Sequence, residues 1–280
     1  MDETALRADM IESLEHRLDR PLSEGLLDAL QRVPREAFVP DAPYANRPTE
    51  VHGTRALSPA TVARMVSALA PEEGDETLVV GAGVGYTAAI LAEIVGARRV
   101  HAIDVDRELV ALARSNLASA NYDPVLVDRR DGSEGLPEYA PFDRVLLEAA
   151  AVRPPRRLLA QLAEDGRLVF PRGTGAQTLV AVRPRRTDGV DRSPDADRSP
   201  EPTGPDDRTR GIERTGTPGT DGLQILEEAG PVQLRPLLVA GERGGIERNR
   251  TRREDAEFSK RGYFAKQGWE QEWVDWEDQR

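Results

Sequence analysis

The stretch Thr77-Leu78-Val79-Val80-Gly81-Ala82-Gly83-Val84-Gly85-Tyr86 decides the fold. Its first four residues read as a short buried strand, the next five as a glycine-rich turn, and Tyr86 to Val95 as a helix. A second strand, Arg99 to Ile103, follows and ends at Asp104. Glycines between a strand and a helix let a ligand approach the backbone with no Cβ in the way. Asp104 stands nineteen residues beyond Gly85. A carboxylate at the end of that strand can accept hydrogen bonds from both hydroxyls of a ribose. Taken singly, the turn is also consistent with a tight connection, and Asp104 with a helix cap before Val105. Together they point to a nucleoside held by Gly81, Ala82, Gly83, Gly85 and Asp104.

The spacing narrows the choice of nucleoside. Dinucleotide sites carry G-x-G-x-x-G, with a pyrophosphate on the helix N-terminus. Here the pattern is G-x-G-x-G followed by Tyr86, so the third fingerprint glycine is missing. S-adenosylmethionine carries no phosphate and does not need the helix dipole in that way. Asp131-Gly132, just past a short strand at Val125-Leu126-Val127, supplies a carboxylate for an adenine amino group, or else an ordinary Asp-Gly turn.

Outward from this unit, strands and helices alternate. A helix is expected over 108–121, strands at 144–147, 167–170 and 178–182, and a helix over 155–163. That alternation predicts an α/β fold, a mostly parallel sheet with helices on both faces. Residues 4–33 read as helices, and Pro59 opens another with Ser58 as its N-cap, running to about Ala70. Residues 184–222 hold almost nothing apolar and read as a disordered low-complexity insertion. Strands at Leu223 to Leu226 and Val232 to Val239 then complete the sheet. The expected organisation is therefore 1–183 (N-terminal helices plus the cofactor-binding domain), 184–222 (insertion), 223–241 (closing strands) and 242–280 (an aromatic and charged extension).

Composition excludes several classes. The net charge is −11 over 280 residues, so bulk charge does not favour a nucleic-acid partner. Thirty-six arginines against two lysines, Lys260 and Lys266, with forty-nine acids, suggest a halophilic surface or a GC-rich genome. There is no cysteine, which removes disulfides and thiolate ligands. His16, His52 and His101 lie far apart without metal-ligand spacing, so no metal site is expected. No apolar run approaches the about 18 residues that span a bilayer, and no signal peptide is visible. A cytoplasmic protein with no membrane partner is expected.

From Arg32 to Val182 the chain resembles the protein-L-isoaspartate O-methyltransferase family. The resemblance lies in Arg32-Val-Pro-Arg-Glu-Ala-Phe-Val-Pro40, in Val79-Val-Gly-Ala-Gly-Val-Gly-Tyr-Thr-Ala-Ala-Ile-Leu-Ala92 and in Asp131-Gly132. Ala140-Pro-Phe-Asp143, Ala149-Ala-Ala151 and Gly166-Arg-Leu-Val-Phe-Pro171 follow in family order, and Leu234-Arg-Pro-Leu237 is similar to its closing strand motif. The resemblance implies a Rossmann-like class I methyltransferase that uses S-adenosyl-L-methionine. It also implies esterification of the free α-carboxylate of isoaspartyl residues, so that damaged proteins or peptides are the substrate. Cofactor roles fall on Gly81, Gly83, Gly85, Asp104 and Asp131.

The active-site loop departs from that pattern. The family's segment resembles Gly-Gln-Thr-Ile-Ser-Ala-Pro-His, whereas this chain reads Gly53-Thr-Arg-Ala-Leu-Ser-Pro-Ala60. The family's serine falls on Leu57 and its histidine on Ala60. Ser58, one place later, is either the catalytic hydroxyl that orients the acceptor or only the helix N-cap. Glu148 stands where the family has a small residue; it is a surface or ion-paired carboxylate, or one beside the methyl donor that suits an amine or amide acceptor. A methyltransferase on another acceptor such as tRNA, or a non-catalytic cofactor-binding protein, are the alternatives. In the extension, Trp269, Trp273 and Trp276 share one helical face and are expected to contact the catalytic domain or a partner.

Overall fold

The computed structural model describes residues 3–18, 20–185 and 222–237. Two helices open the chain, α1 (Glu3–Leu18) and α2 (Glu24–Arg32), and a single 3₁₀ turn covers Arg35–Ala37. A small hairpin follows, β1 (Thr49–Val51) and β2 (Thr54–Ala56). Its two-residue turn places His52 at φ 46° and Gly53 at φ 77°, the double left-handed geometry that suits a tight hairpin. Then come α3 (Pro59–Leu69), β3 (Thr77–Val80), α4 (Tyr86–Val95), β4 (Val100–Asp104), α5 (Arg107–Ser119) and β5 (Leu126–Arg129). The last elements are β6 (Phe142–Leu147), α6 (Arg156–Leu159), β7 (Leu162–Arg172), β8 (Gln177–Pro184) and β9 (Leu223–Val232).

Seven strands form one sheet in the order β5-β4-β3-β6-β7-β8-β9. The pairs from β5 to β7 are parallel, and β7–β8 and β8–β9 are antiparallel. The order reverses between β3 and β6: from β3 the chain moves outward to β4 and β5, then returns to the other side of β3. Such a switch point leaves a crevice beyond the carboxyl ends of the two strands, because the connecting loops diverge there.

Alternation along each strand divides the core in two. Val79, Ala102, Val127, Leu146, Val169 and Ala181 face the layer built from α1 to α5. Leu78, Val80, Ile103, Val145, Leu147 and Leu168 face the other way and pack with Leu136 and Leu158. The second face is covered more thinly than the alternation of strands and helices suggests. The helix expected over 155–163 is a single turn, α6. The backbone of Phe142 donates to the Gln161 carbonyl at 2.8 Å, and the Gln161 side chain bonds Leu136 N and Glu134 O, each at 2.8 Å. These bonds draw the chain into the sheet at Leu162, which pairs with Phe142. β7 therefore starts five residues before the expected Arg167.

The closing strands also differ from expectation. Leu223 to Val232 is one continuous strand rather than the start of two. Beyond it the backbone of Leu234 to Leu237 is spent elsewhere, as described below, and Leu238 and Val239 lie outside the described residues. The insertion expected over 184–222 falls largely on 186–221, also outside them, but its flanks meet: Pro184 pairs with Leu223. The aromatic contact assigned to Trp269, Trp273 and Trp276 is withdrawn. Among the described residues the ring contacts are Phe38–Tyr86, His101–Tyr139 and His101–Phe142, with no tryptophan cluster, and the three tryptophans lie outside the described residues. No described helix is long and apolar enough to cross a membrane.

Candidate active site

The glycine-rich turn is built against β4. The amides of Gly81 and Ala82 both donate to the Ile103 carbonyl, at 2.8 and 2.9 Å. Gly83 donates to Asp104 Oδ2 at 3.0 Å, while Asp104 Oδ1 accepts from Asp106 N at 3.0 Å. Each carboxylate oxygen thus keeps a lone pair free after fixing the two loops on either side. Burial raises the Asp104 pKa, opposed by the amides of Asp106 and Gly83.

The glycines differ in what they permit. A Cβ at Gly85 would sit 3.3 Å from the Ala113 carbonyl and from Leu117 Cγ, so this glycine lets α4 close on α5. A Cβ at Gly83 would meet nothing nearer than the Gly81 carbonyl at 4.0 Å. What Gly83 keeps clear is therefore the cleft. At Gly132 a Cβ would collide with Val80 Cγ1 at 2.6 Å and crowd Leu237 Cδ1 at 3.1 Å, which explains a glycine after Asp131.

The cleft has a volume of about 1000 Å³ and occupies the β3/β6 switch point, at the upper end of the range for small-molecule sites. Gly81, Ala82, Gly83, Asp104 and Gly132 line its floor. Its front wall comes from two distant segments, the hairpin with Leu57 and the chain from Gln233 to Leu237. The second segment is stitched down by its backbone. Gln177 bonds both the N–H and the carbonyl of Leu234, at 2.8 and 2.9 Å. Ala150 donates to Arg235 O at 2.8 Å and accepts from Leu237 N at 2.9 Å. Arg235 Nη1 then reaches the Gly53 carbonyl at 3.3 Å and joins the two segments.

Glu148 follows β6 and lines the same cleft. It is half-buried, and its Oε1 is sealed from solvent without a hydrogen-bond partner. Burial pushes its pKa up to about 7, with the Asp104 charge adding to the effect and a hydrogen bond from Thr87 opposing it.

Arg35 was not singled out by the sequence, yet it is almost fully buried. Its Nε donates to the Pro43 carbonyl at 2.7 Å and its Nη2 to the Leu57 carbonyl at 2.5 Å. The guanidinium lies 4.4 Å from the centroid of the Tyr86 ring. It ties the N-terminal segment, the loop before α3 and the first residue of α4 into one unit. Its burial shows only in the structure, and arginine is rarely buried without partners.

Of the residues marked from sequence, Gly81, Ala82, Gly83, Asp104 and Gly132 converge on the cleft. Gly85 is the N-cap of α4 and does not line the cleft. Asp131 borders a smaller adjoining pocket, and its Oδ1 accepts from Ser133 N and Oγ at 2.8 and 2.7 Å. Ser58 does not line the cleft. Its Oγ accepts from Thr61 N at 3.3 Å and shares a 2.9 Å hydrogen bond with Thr61 Oγ1, capping α3. The residue facing the cleft there is Leu57, and Ala60 N is held by Asn46 Oδ1 at 3.0 Å.

A seven-stranded Rossmann-like sheet, a glycine-rich turn without a third fingerprint glycine, and a carboxylate ending the next strand define a class I S-adenosyl-L-methionine-dependent methyltransferase. Comparison with known proteins takes the assignment further. The family model described as protein-L-isoaspartate(D-aspartate) O-methyltransferase matches residues 7–195, and the chain belongs to that family. It is 40% identical over 190 residues to the protein-L-isoaspartate O-methyltransferase of Aeropyrum pernix, covering 65% of this chain and 73% of that protein. It is 38% identical over 199 residues to the Methanosarcina mazei protein of the same name, covering 69% and 80%. Among solved structures, the Plasmodium falciparum protein-L-isoaspartate O-methyltransferase, crystallised with S-adenosyl-L-homocysteine, superposes with a TM-score of 0.61 at 17% identity over 82% of this chain and 96% of that one. A second structure of that name gives 0.56 at 22% identity, covering 62% and 59%. The two structures carry the fold alone.

Proposed function

We propose that this chain esterifies the free carboxylate of isoaspartyl residues in damaged proteins and peptides, in the cytoplasm. One observation carries the reading besides family membership: the cleft is large enough for a nucleoside and an acceptor together, with an apolar wall at Leu57, Leu234 and Leu237 and two arginines, Arg55 and Arg235, beside it.

The residues present fit the cofactor. Asp104 would hold the ribose with the lone pairs left over from Gly83 and Asp106, and the open face of Gly83 would admit the ligand against the backbone. Gly132 lines the cleft and Asp131 the adjoining pocket, where they would border the adenine. The cofactor, when bound, supplies an electrophilic methyl group on a sulfonium.

This chain's own residues do the rest. A carboxylate is already ionised at neutral pH, so no strong base is needed. The protein has to attract it, strip its water and align it. Arg55 and Arg235, about half exposed and each within 4 Å of Glu50, supply a weak positive field. Leu57 and the Leu234–Leu237 segment exclude water. Ser58 caps α3 and so fixes where Leu57 points, a structural role rather than a chemical one.

The test is competition between an isoaspartyl peptide and the same peptide with ordinary aspartate, at low and high salt. A strong preference for the isoaspartyl peptide supports the reading, and equal or absent labelling of both overturns it. Faster turnover at high salt would bear on the halophilic reading of the acidic composition.

A further inference from the structure

At the β3/β6 switch point two residues lie side by side in the lining of the cleft: Gly81 after β3 and Glu148 after β6. A Cβ on Gly81 would lie 3.4 Å from the Glu148 Cβ. Glu148 therefore packs against the glycine-rich turn in the lining of the cleft, on the side of β3 away from Asp104 and β4. One of its oxygens, Oε1, is buried with no partner. An unsatisfied buried carboxyl oxygen is costly, and such a group is normally paired by protein, water or ligand.

From this placement we propose that Glu148 is the acceptor-site residue: protonated, it donates a hydrogen bond to the incoming substrate carboxylate, and ionised, it repels it. The inference rests on the isoaspartyl reading above and deepens it by naming what selects and gates the acceptor. On the opposite wall Leu57 is apolar and Ser58 is turned into the α3 cap, so neither supplies a donor there.

The charged surroundings favor the protonated form. From β4, the Asp104 charge acts against ionisation of Glu148, and Thr87 of α4 donates a hydrogen bond that partly offsets it. Burial is the larger effect and sets the group near neutrality. Arg35 is committed to the Leu57 and Pro43 carbonyls. His52 and Arg55 on the hairpin and Arg235 beyond β9 line the opposite wall, with both arginines close to Glu50. Asp106, Arg107, Glu108 and Arg129 belong to the β4–β5 side of the cleft.

The reaction balances without a change at Glu148. A substrate carboxylate oxygen forms a bond to the methyl carbon as the carbon–sulfur bond breaks, and that electron pair leaves on sulfur. The products are a methyl ester and a neutral thioether, and Glu148 keeps its proton throughout. Its role is to position the second oxygen of the acceptor.

The experiment is the pH profile of kcat and KM for methyl transfer to an isoaspartyl peptide, from pH 5.5 to 9, for wild type, Glu148→Gln and Glu148→Thr. Cofactor affinity is measured by calorimetry on the same preparations. The expected wild-type kcat/KM falls at least tenfold between pH 6 and 8.5, mostly through KM. Glu148→Gln, a neutral donor at every pH, removes the fall. Glu148→Thr removes it too, with cofactor binding intact in both. A wild-type profile that is flat, or shared by both variants, overturns the role of Glu148 and leaves the isoaspartyl reading standing. Activity that rises with pH and vanishes in Glu148→Gln overturns it in favor of a base acting on a protonated acceptor. No transfer by any of the three proteins at any pH, with cofactor still bound, overturns the isoaspartyl reading itself and the inference with it.

Discussion

Arg35 donates through Nη2 to the carbonyl oxygen of Leu57 at 2.5 Å, across twenty-two residues of chain. The bond fixes the backbone of the loop whose side chain walls the cleft. The same guanidinium packs on Tyr86, the residue that starts the helix after the glycine-rich turn. Loop and cofactor turn are thereby set by one buried cation, whose burial depresses its pKa.

Replacing Arg35 with Ala takes the donor from two half-buried carbonyls, on Pro43 and Leu57, and removes the contact with Tyr86. An unsatisfied buried group costs about 1–3 kcal/mol, so Arg35→Ala should lose on the order of 3 kcal/mol of stability. Arg35→Lys cannot serve both carbonyls with one planar fork and should retain fold but lose turnover. Denaturant melts and kinetics on both variants check this; an unchanged melt for Arg35→Ala would show that the clamp is dispensable.

Asp104 accepts from two backbone amides and, in the proposed site, would also hold the ribose. Asp104→Ala should weaken S-adenosyl-L-methionine binding by about 1–3 kcal/mol, roughly a 5- to 150-fold rise in Kd. Calorimetry gives the number directly. Unchanged affinity would remove Asp104 from the site.

Ser58→Ala should cost about 1 kcal/mol of stability through loss of the α3 cap, with kcat unchanged. The two are separable on one preparation. A large fall in kcat without a change in melting would return Ser58 to the chemistry.

Glu148 also predicts a pH dependence of stability. Its pKa is raised on folding, from the ordinary carboxylate value of 4.5 to about 7. Below 4.5 it is protonated in both states and costs nothing. As pH rises from 4.5 to 7 the unfolded chain ionises first, so stability falls, and above 7 the loss is complete. The full shift corresponds to on the order of 3 kcal/mol. Glu148→Gln should lack this fall, measured as the difference between the two proteins' denaturant midpoints at pH 5 and pH 8.

The sequence made the cofactor half of the site legible and the acceptor half much less so. Thr77–Val80 and Tyr86–Val95 stand where local patterning puts them, because β-branched residues, glycines and an apolar helix all agree. Asp104 was readable from its place at a strand end. Arg35 was not, because its partners are carbonyls of Pro43 and Leu57, and backbone acceptors leave no trace in a sequence. The front wall needed Gln177 to find Leu234, a pairing over fifty-seven residues that no local pattern reports. The helix expected over 155–163 failed for a related reason: the Gln161 side chain and backbone are claimed by Leu136, Glu134 and Phe142. Glu148 stood out only as an unusual residue type at its position; its burial and its unpartnered oxygen are tertiary facts.

The central claim is methyl transfer to a carboxylate. It is tested most directly by incubating the protein with an isoaspartyl peptide and methyl-labelled S-adenosyl-L-methionine at pH 6, then treating the product with mild base. A methyl ester hydrolyses, so the account predicts that the label is incorporated into the peptide and then released as volatile methanol. Label that stays on the peptide through base treatment would mean a nitrogen acceptor, and it would contradict the account.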